Sequence, residues 1–230
     1  MLNLEKRDCG IEMKLVPYGG GWTDVHLNIG NDRLYFIITS SWGDQFSKLL
    51  DILYHLSPNQ FDPHETGSVE CWEGLCEKTK DGYQVVSVAE HFDQCGKVYQ
   101  LVPYKAEMCW DEEGSCSCWT FTRQPTTDTN FILTIDISIR RNDTKHYSYE
   151  IPYKDFCYAV AKACTQTLKS HGFWGYHFST YIEDINIRQL LFLKSVALEN
   201  FEARELTDNG NGLGDSSSFE KEIELLLFDM

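Results

Sequence analysis

Apolar and polar positions alternate with a period of two in several short runs of this chain and follow a helical period in a few longer ones. In "GIEMKLVPYGGGWTDVHLNIGNDRLYFIITS" the alternation predicts three strands, Ile11 to Val16, Trp22 to Ile29 and Arg33 to Thr39, because successive side chains of an extended backbone point to opposite faces. The turn formers Gly30, Asn31 and Asp32 join the last two strands, so the stretch predicts an antiparallel meander. The next segment, "SSWGDQFSKLLDILYHLSPNQ", sets Phe46, Leu49, Leu50, Leu53 and Leu56 on one helical face behind the capping arrangement of Ser41 and Asp44. Pro58 ends that helix, since proline disfavours helical geometry in the residue before it.

From Gly67 to Glu150 the turn signals "KDGY", "DQCGK", "DEEG" and "QPTTDTN" separate further strands. The clearest strand is "FILTIDISI". Phe131, Leu133, Ile135, Ile137 and Ile139 share one face and Ile132, Thr134, Asp136 and Ser138 the other, which predicts one buried side. Pro152 suits the first turn of a second helix with the stripe Phe156, Val160, Ala163 and Thr167, and Gly172 is its expected stop. "FWGYHFSTY" then reads as an aromatic loop, and "NIRQLLFLKSVALENFEA" as a third helix reaching about Phe201.

Residues Thr207 to Ser218 are too rich in Gly, Asn, Asp and Ser to hold a packed element. Beyond them Ser217 and Glu220 cap a last helix, whose stripe of Phe219, Ile223, Leu226 and Leu227 is expected to dock on the chain's own domain. Together these elements predict an α+β fold, a mainly antiparallel sheet with helices packed on one face. The expected organisation is one domain over residues 1–206, a flexible linker over 207–218 and a short acidic amphipathic helix over 219–230.

Charge narrows the partners. Across 230 residues, 35 acids oppose 20 bases for a formal net charge of −15, which argues against nucleic acid and anionic membranes and favours a basic protein partner. Residues 201–230 alone hold eight acids and two bases. No run approaches the roughly 18 apolar residues of a membrane helix, and "MLNLEKRDCG" places charge where a signal peptide is apolar, so a cytoplasmic protein is expected. Nine cysteines, an odd number, then predict reduced thiols in place of a closed disulfide framework.

The densest chemistry lies in "CWDEEGSCSCW". If "DEEG" is a hairpin turn, Trp110 pairs with Ser115, Cys109 with Cys116, Met108 with Ser117 and Glu107 with Cys118. Met108, Trp110 and Trp119 then share the core face, while Cys109, Cys116, Cys118 and Glu107 gather on the other. Three thiols and a carboxylate are a zinc-compatible set, but residues two apart on a flat strand converge poorly on one ion, so half-buried strand side chains are expected and no cofactor is. Oxidation would join Cys109 to Cys116. At the hairpin tip Asp111, Glu112 and Glu113, with Trp174 and Tyr176 of the aromatic segment, are candidate contacts for a basic partner. The alternative function is a small-ligand protein or enzyme, with Asp136, His171 and His177 lining a pocket between sheet and helices. The sequence carries no G-x-S-x-G, G-x-x-x-x-G-K-[ST], H-E-x-x-H or Rossmann glycine pattern, which turns the expectation away from an enzyme.

In layout, "GGGWTDVHLNIGNDRLYF", "SSWGDQFSKLLDILYHLS", "CWDEEGSCSCW" and "EIPYKDFCYAVAKACTQTLKSHG" resemble a widespread group of small, uncharacterised bacterial cytoplasmic proteins. The resemblance covers about residues 11 to 172 and implies a fold, not an activity. In size and charge the chain is also similar to the immunity proteins of bacterial toxin systems, which block a toxin by covering its active site. That similarity implies a non-catalytic interaction module and singles out no residue.

Overall fold

The structure, a computed structural model, describes residues 2, 4–6, 8–19, 22–39, 45–57, 76–79, 82–85, 105–111, 116–123, 131–140, 144–180, 185–200 and 218–230. Strands β1 (Ile11–Gly19), β2 (Trp22–Ile29) and β3 (Asp32–Thr39) form the expected antiparallel meander. Gly30 turns between β2 and β3 with φ 57°, a left-handed conformation that glycine adopts without steric cost. Val25 lies opposite both Leu15 and Phe36, and with Met13, Leu27, Leu34 and Ile38 these residues make one fully buried face.

A short hairpin, β4 (Cys76–Thr79) with β5 (Gly82–Val85), forms a separate two-stranded sheet. Four more strands, β6 (Lys105–Asp111), β7 (Cys116–Arg123), β8 (Ile132–Arg140) and β9 (Thr144–Pro152), then pair in chain order. On β8, Leu133, Ile135, Ile137 and Ile139 are buried while Asp136 points to solvent, as the alternation requires.

Among the described residues four helices complete the α+β fold: α1 (Gln45–Leu56), α2 (Tyr153–Thr180), α3 (Ile187–Ala197) and α4 (Phe219–Leu227). Leu49, Leu50 and Leu53 of α1 and Phe156, Val160 and Ala163 of α2 join the same core as the inner faces of both large sheets. An aromatic cluster ties the sheets together: Phe36 sits 5.4 Å from Trp110 and 5.0 Å from Trp119, and the two indoles are 4.8 Å apart. Such pairs add to the area they bury. Where α2 begins, the Tyr153 hydroxyl donates to the Leu53 carbonyl of α1, and full burial pushes its phenol well above the ordinary range.

In strand register and helix boundaries the structure departs from the sequence expectations at four places. In the hairpin, Cys109 faces Cys118, Trp110 faces Ser117, Met108 faces Trp119 and Glu107 faces Thr120, two residues from the expected register. A two-residue slide keeps every side chain on its own face, so the core face is as expected while the cross-strand partners are not. Gly172 breaks α2 with φ 67° and ψ 170°, but the chain resumes a helix over 173–180 where a loop was expected. A single left-handed glycine interrupts the helix without preventing its next turn.

At the far end, α3 stops at Ala197, short of Phe201. Glu199 takes φ 52°, and the amides of Glu199 and Asn200 donate to the carbonyls of Val196 and Ser195, a Schellman closure. Lys154 pairs with the Glu199 carboxylate. Finally, the cap of α4 is Ser218, not Ser217; its hydroxyl accepts from the Lys221 amide at 3.4 Å. Residues 207–217 of the expected linker lie outside the described residues.

Candidate functional site

Helix α4 is held from three sides. Leu225 is its buried residue and packs with Leu2, and the Leu2 amide donates to Glu224 Oε1 at 3.0 Å. Beneath its carboxy end lies Lys194 of α3, fully buried, whose Nζ donates to the carbonyls of Leu226 and Phe228 at 2.8 Å each. The last carbonyls of a helix have no partner within it, and the ammonium satisfies two of them while opposing the negative end of the helix dipole. Burial moves Lys194 from its ordinary 10.5 down to about 8, with Lys169 adding repulsion and Cys164 and Asp229 acting the other way. Asp229, paired with Lys6 and Lys169 at 3.2 Å each, is held below the ordinary carboxylate range by those two cations.

Docked this way, α4 covers only Leu226 of the expected stripe, half-buried against the core, and turns the other three residues outward. Phe219, Ile223 and Leu227 remain 69%, 37% and 65% exposed. They recur every four residues and therefore form one line along the helix. Glu220 and Glu222 project on either side of that line, about 100° from Phe219 in one direction and about 60° in the other at helical spacing. The result is an apolar ridge between acids.

The cysteine-bearing face of the hairpin is the outer face of the four-stranded sheet. A disulfide joins Cys109 to Cys118 across the strand pair, with Cα atoms 4.1 Å apart, near the close spacing of non-hydrogen-bonded antiparallel neighbours. A bond stands there where reduced thiols were expected, and to Cys118, not Cys116, because the register brings those two residues face to face. Cys116 is half-buried on the same face and outside the disulfide. Lys105 and Glu107 pair at 2.6 Å farther along β6. Among the described residues no group of three or more His, Cys, Asp or Glu is arranged to hold a metal ion.

Of the other candidates, Asp111 closes β6, while Glu112 and Glu113 lie outside the described residues. Trp174, Tyr176 and His177 fall in the helical stretch after Gly172, where only the backbone is described. His171 lines a groove of about 180 Å³ between β1 and α2, with Lys14, Leu15, Gln166 and Thr167, and its Nδ1 lies 3.2 Å from the Thr167 carbonyl. Asp136 is elsewhere. The Phe156 ring of α2 meets Phe121 at 6.2 Å on the buried face of the four-stranded sheet, whereas Asp136 points out of the opposite face. Asp136 and His171 are therefore separated by that sheet and do not line one pocket.

No helix among the described residues is long and apolar enough to cross a membrane. No protein-family model, curated protein or solved structure matches the chain.

Proposed function

We propose that the protein is a non-catalytic interaction module that binds a protein partner through α4. The observation that supports this reading is the ridge of Phe219, Ile223 and Leu227, exposed on a helix that is already docked through its other side. A helix offering large apolar side chains at four-residue spacing is the form recognised by an apolar groove. The flanking Glu220 and Glu222, on a chain of formal charge −15, match a groove rimmed by Lys and Arg, since complementary charge speeds encounter and rejects acidic partners.

Burying an exposed Phe or Leu side chain stabilises a complex by about 1–2 kcal/mol each. Replacing Phe219 and Leu227 together by Glu therefore lowers affinity by at least about tenfold. The test is affinity capture with wild-type and double-variant protein, followed by titration of the purified partner at low and high salt. The reading predicts one stoichiometric partner whose binding weakens with salt and is lost in the double variant. A captured partner that binds both proteins equally refutes it. Hydrogen exchange in α4 shows that the variant keeps its docking, which rests on Leu225 and Lys194.

A further inference from the structure

We propose that Cys109, Cys116 and Cys118 form a thiol–disulfide exchange site in which Cys109 alternates between Cys118 and Cys116 as its bonded partner. The observation is independent of α4 and concerns the opposite use of the hairpin: not its acidic tip but its sulfur-bearing face.

Three features of the register carry the argument. Cys109 and Cys118 are direct cross-strand neighbours and are bonded. Cys116 is two residues from Cys118 on β7, so its side chain leaves the sheet on the same side, and it stands diagonally across from Cys109. Diagonal Cα atoms lie about 7–8 Å apart, and a disulfide spans up to about 7 Å, so a small movement brings Cys116 within bonding reach of Cys109. That movement falls at the end of the strand pair next to the connection between the strands, where Asp111 is the last residue of β6 and Cys116 the first of β7.

Access is the second requirement. Cys109 is exposed, and an exposed disulfide sulfur is open to attack by a thiolate. The contrast lies on α2, where Cys157 and Cys164 are buried and desolvation pushes the Cys164 thiol up, which keeps it protonated and inert. A disulfide serving only to staple the hairpin has no use for a third sulfur on its face. With Cys116 beside it, the same pair has a resolving thiol within the chain.

The step balances without an outside oxidant. Cys116 gives its proton to water, and its thiolate attacks Cys109 Sγ. As the Cys116–Cys109 bond forms, the Cys109–Cys118 bond breaks and its electron pair leaves on Cys118, which takes up a proton. With a small dithiol as reductant, one external thiolate attacks Cys109 and expels Cys118. The second closes the reductant's own disulfide and releases Cys109, a two-electron reduction.

The test uses the full chain equilibrated in a glutathione and glutathione-disulfide buffer, quenched with acid and alkylated. Cleavage after Glu113 separates Cys109 from Cys116 and Cys118, so the label reports which sulfur is bonded. In the wild type, most chains carry label on Cys116 and a minor fraction on Cys118. In Cys118→Ser, the Cys109–Cys116 bond forms and label on Cys116 is lost; in Cys116→Ser, Cys118 stays bonded and the minor label disappears. The proposal is overturned if Cys118→Ser accumulates glutathione on Cys109 with Cys116 still labelled, because Cys116 is then out of reach. Should that variant fail to fold, the wild type decides: Cys118 that never takes label at equilibrium overturns it as well.

Discussion

Lys194 is a buried ammonium whose cost can be measured by changing pH. It sits in α3 with no exposed surface and donates to two carbonyls of the α4 terminus. Its ordinary 10.5 falls to about 8, with burial as the main cause. A lysine so depressed binds its proton less tightly in the native chain than in the unfolded one. Between about pH 8 and 10.5 the unfolded state therefore holds more protons, and stability from this group rises with pH across that window. From pH 7 to 9 the gain is about 1 kcal/mol, most of it above pH 8. A neutral amine still carries two N–H donors, so both carbonyl bonds survive the change. Cys164, the other buried group facing Lys194, acts against the trend above its ordinary 9.0 because burial keeps it protonated in the native chain. Lys169 and Asp229 face the same site, the first repelling the ammonium and the second attracting it. The measurement is urea unfolding of wild type and Lys194→Met at pH 7 and pH 9. Methionine fills a similar volume without titrating, so any constant offset, and the share of Cys164, cancel in the difference. The gap should shift in favour of wild type by about 1 kcal/mol on going to pH 9. A gap that stays flat or moves the other way means that Lys194 is solvated and does not cap α4 from a buried position.

Other sites give sharper structural readouts. Trp119→Ala removes the indole that meets Phe36, Trp110 and Phe121 and should cost about 3–5 kcal/mol in urea unfolding; a loss below about 1 kcal/mol would place the ring outside the core. Tyr149→Phe deletes the 2.9 Å bond from the phenol to Asp32 in the first meander, for a loss of about 0.5–1.5 kcal/mol. The same variant should remove a tyrosine titration that burial and Asp32 hold above its ordinary range, which spectrophotometric titration would detect. Asn186→Ala removes the side chain that accepts from the Gln189 amide at 3.2 Å and should speed hydrogen exchange in the first turn of α3, with a stability loss of about 1 kcal/mol.

How far the fold could be read from the sequence follows from what a periodic pattern encodes. The meander, α1 and the two faces of β8 were legible because each has a buried side, and burial of one side imposes alternation or a helical stripe. The pairing of Cys109 was not, because a register two residues away presents identical faces; the structure sets Met108 opposite Trp119, not Ser117. The third helix was legible, but its end was not: Glu199 adopts the left-handed closure that composition assigns to glycine. Lys194 leaves only a local trace in the sequence, a single cation inside "LLFLKSVAL". A lysine amid so many apolar neighbours either reaches solvent along its stem or finds buried acceptors, and the acceptors are carbonyls 32 and 34 residues later, beyond any local pattern.

Helix α4 shows the same limit at the point where function is at stake. Its apolar residues exceed what one face can use: Leu225 lies on the side toward Leu2, and Phe219, Ile223 and Leu227 lie on the other. Amphipathicity says that a stripe will be covered, not by what, and the stripe of best periodicity was assigned to the chain's own core. The structure gives that place to Leu225, with Leu226 of the stripe half-buried against the core and Lys194 holding the helix terminus from below. The two arrangements are not equivalent. Turning the stripe inward would rotate the helix by more than a third of a turn and carry Leu225 outward, while the docking contacts of Glu224 to Leu2 and of Lys194 to the terminal carbonyls fix the orientation. Because these bonds fall on the backbone and on one acid, they specify the rotation without using the large apolar side chains. Phe219, Ile223 and Leu227 are thereby left facing outward by an arrangement that does not need them, which is the physical basis for assigning them to a partner.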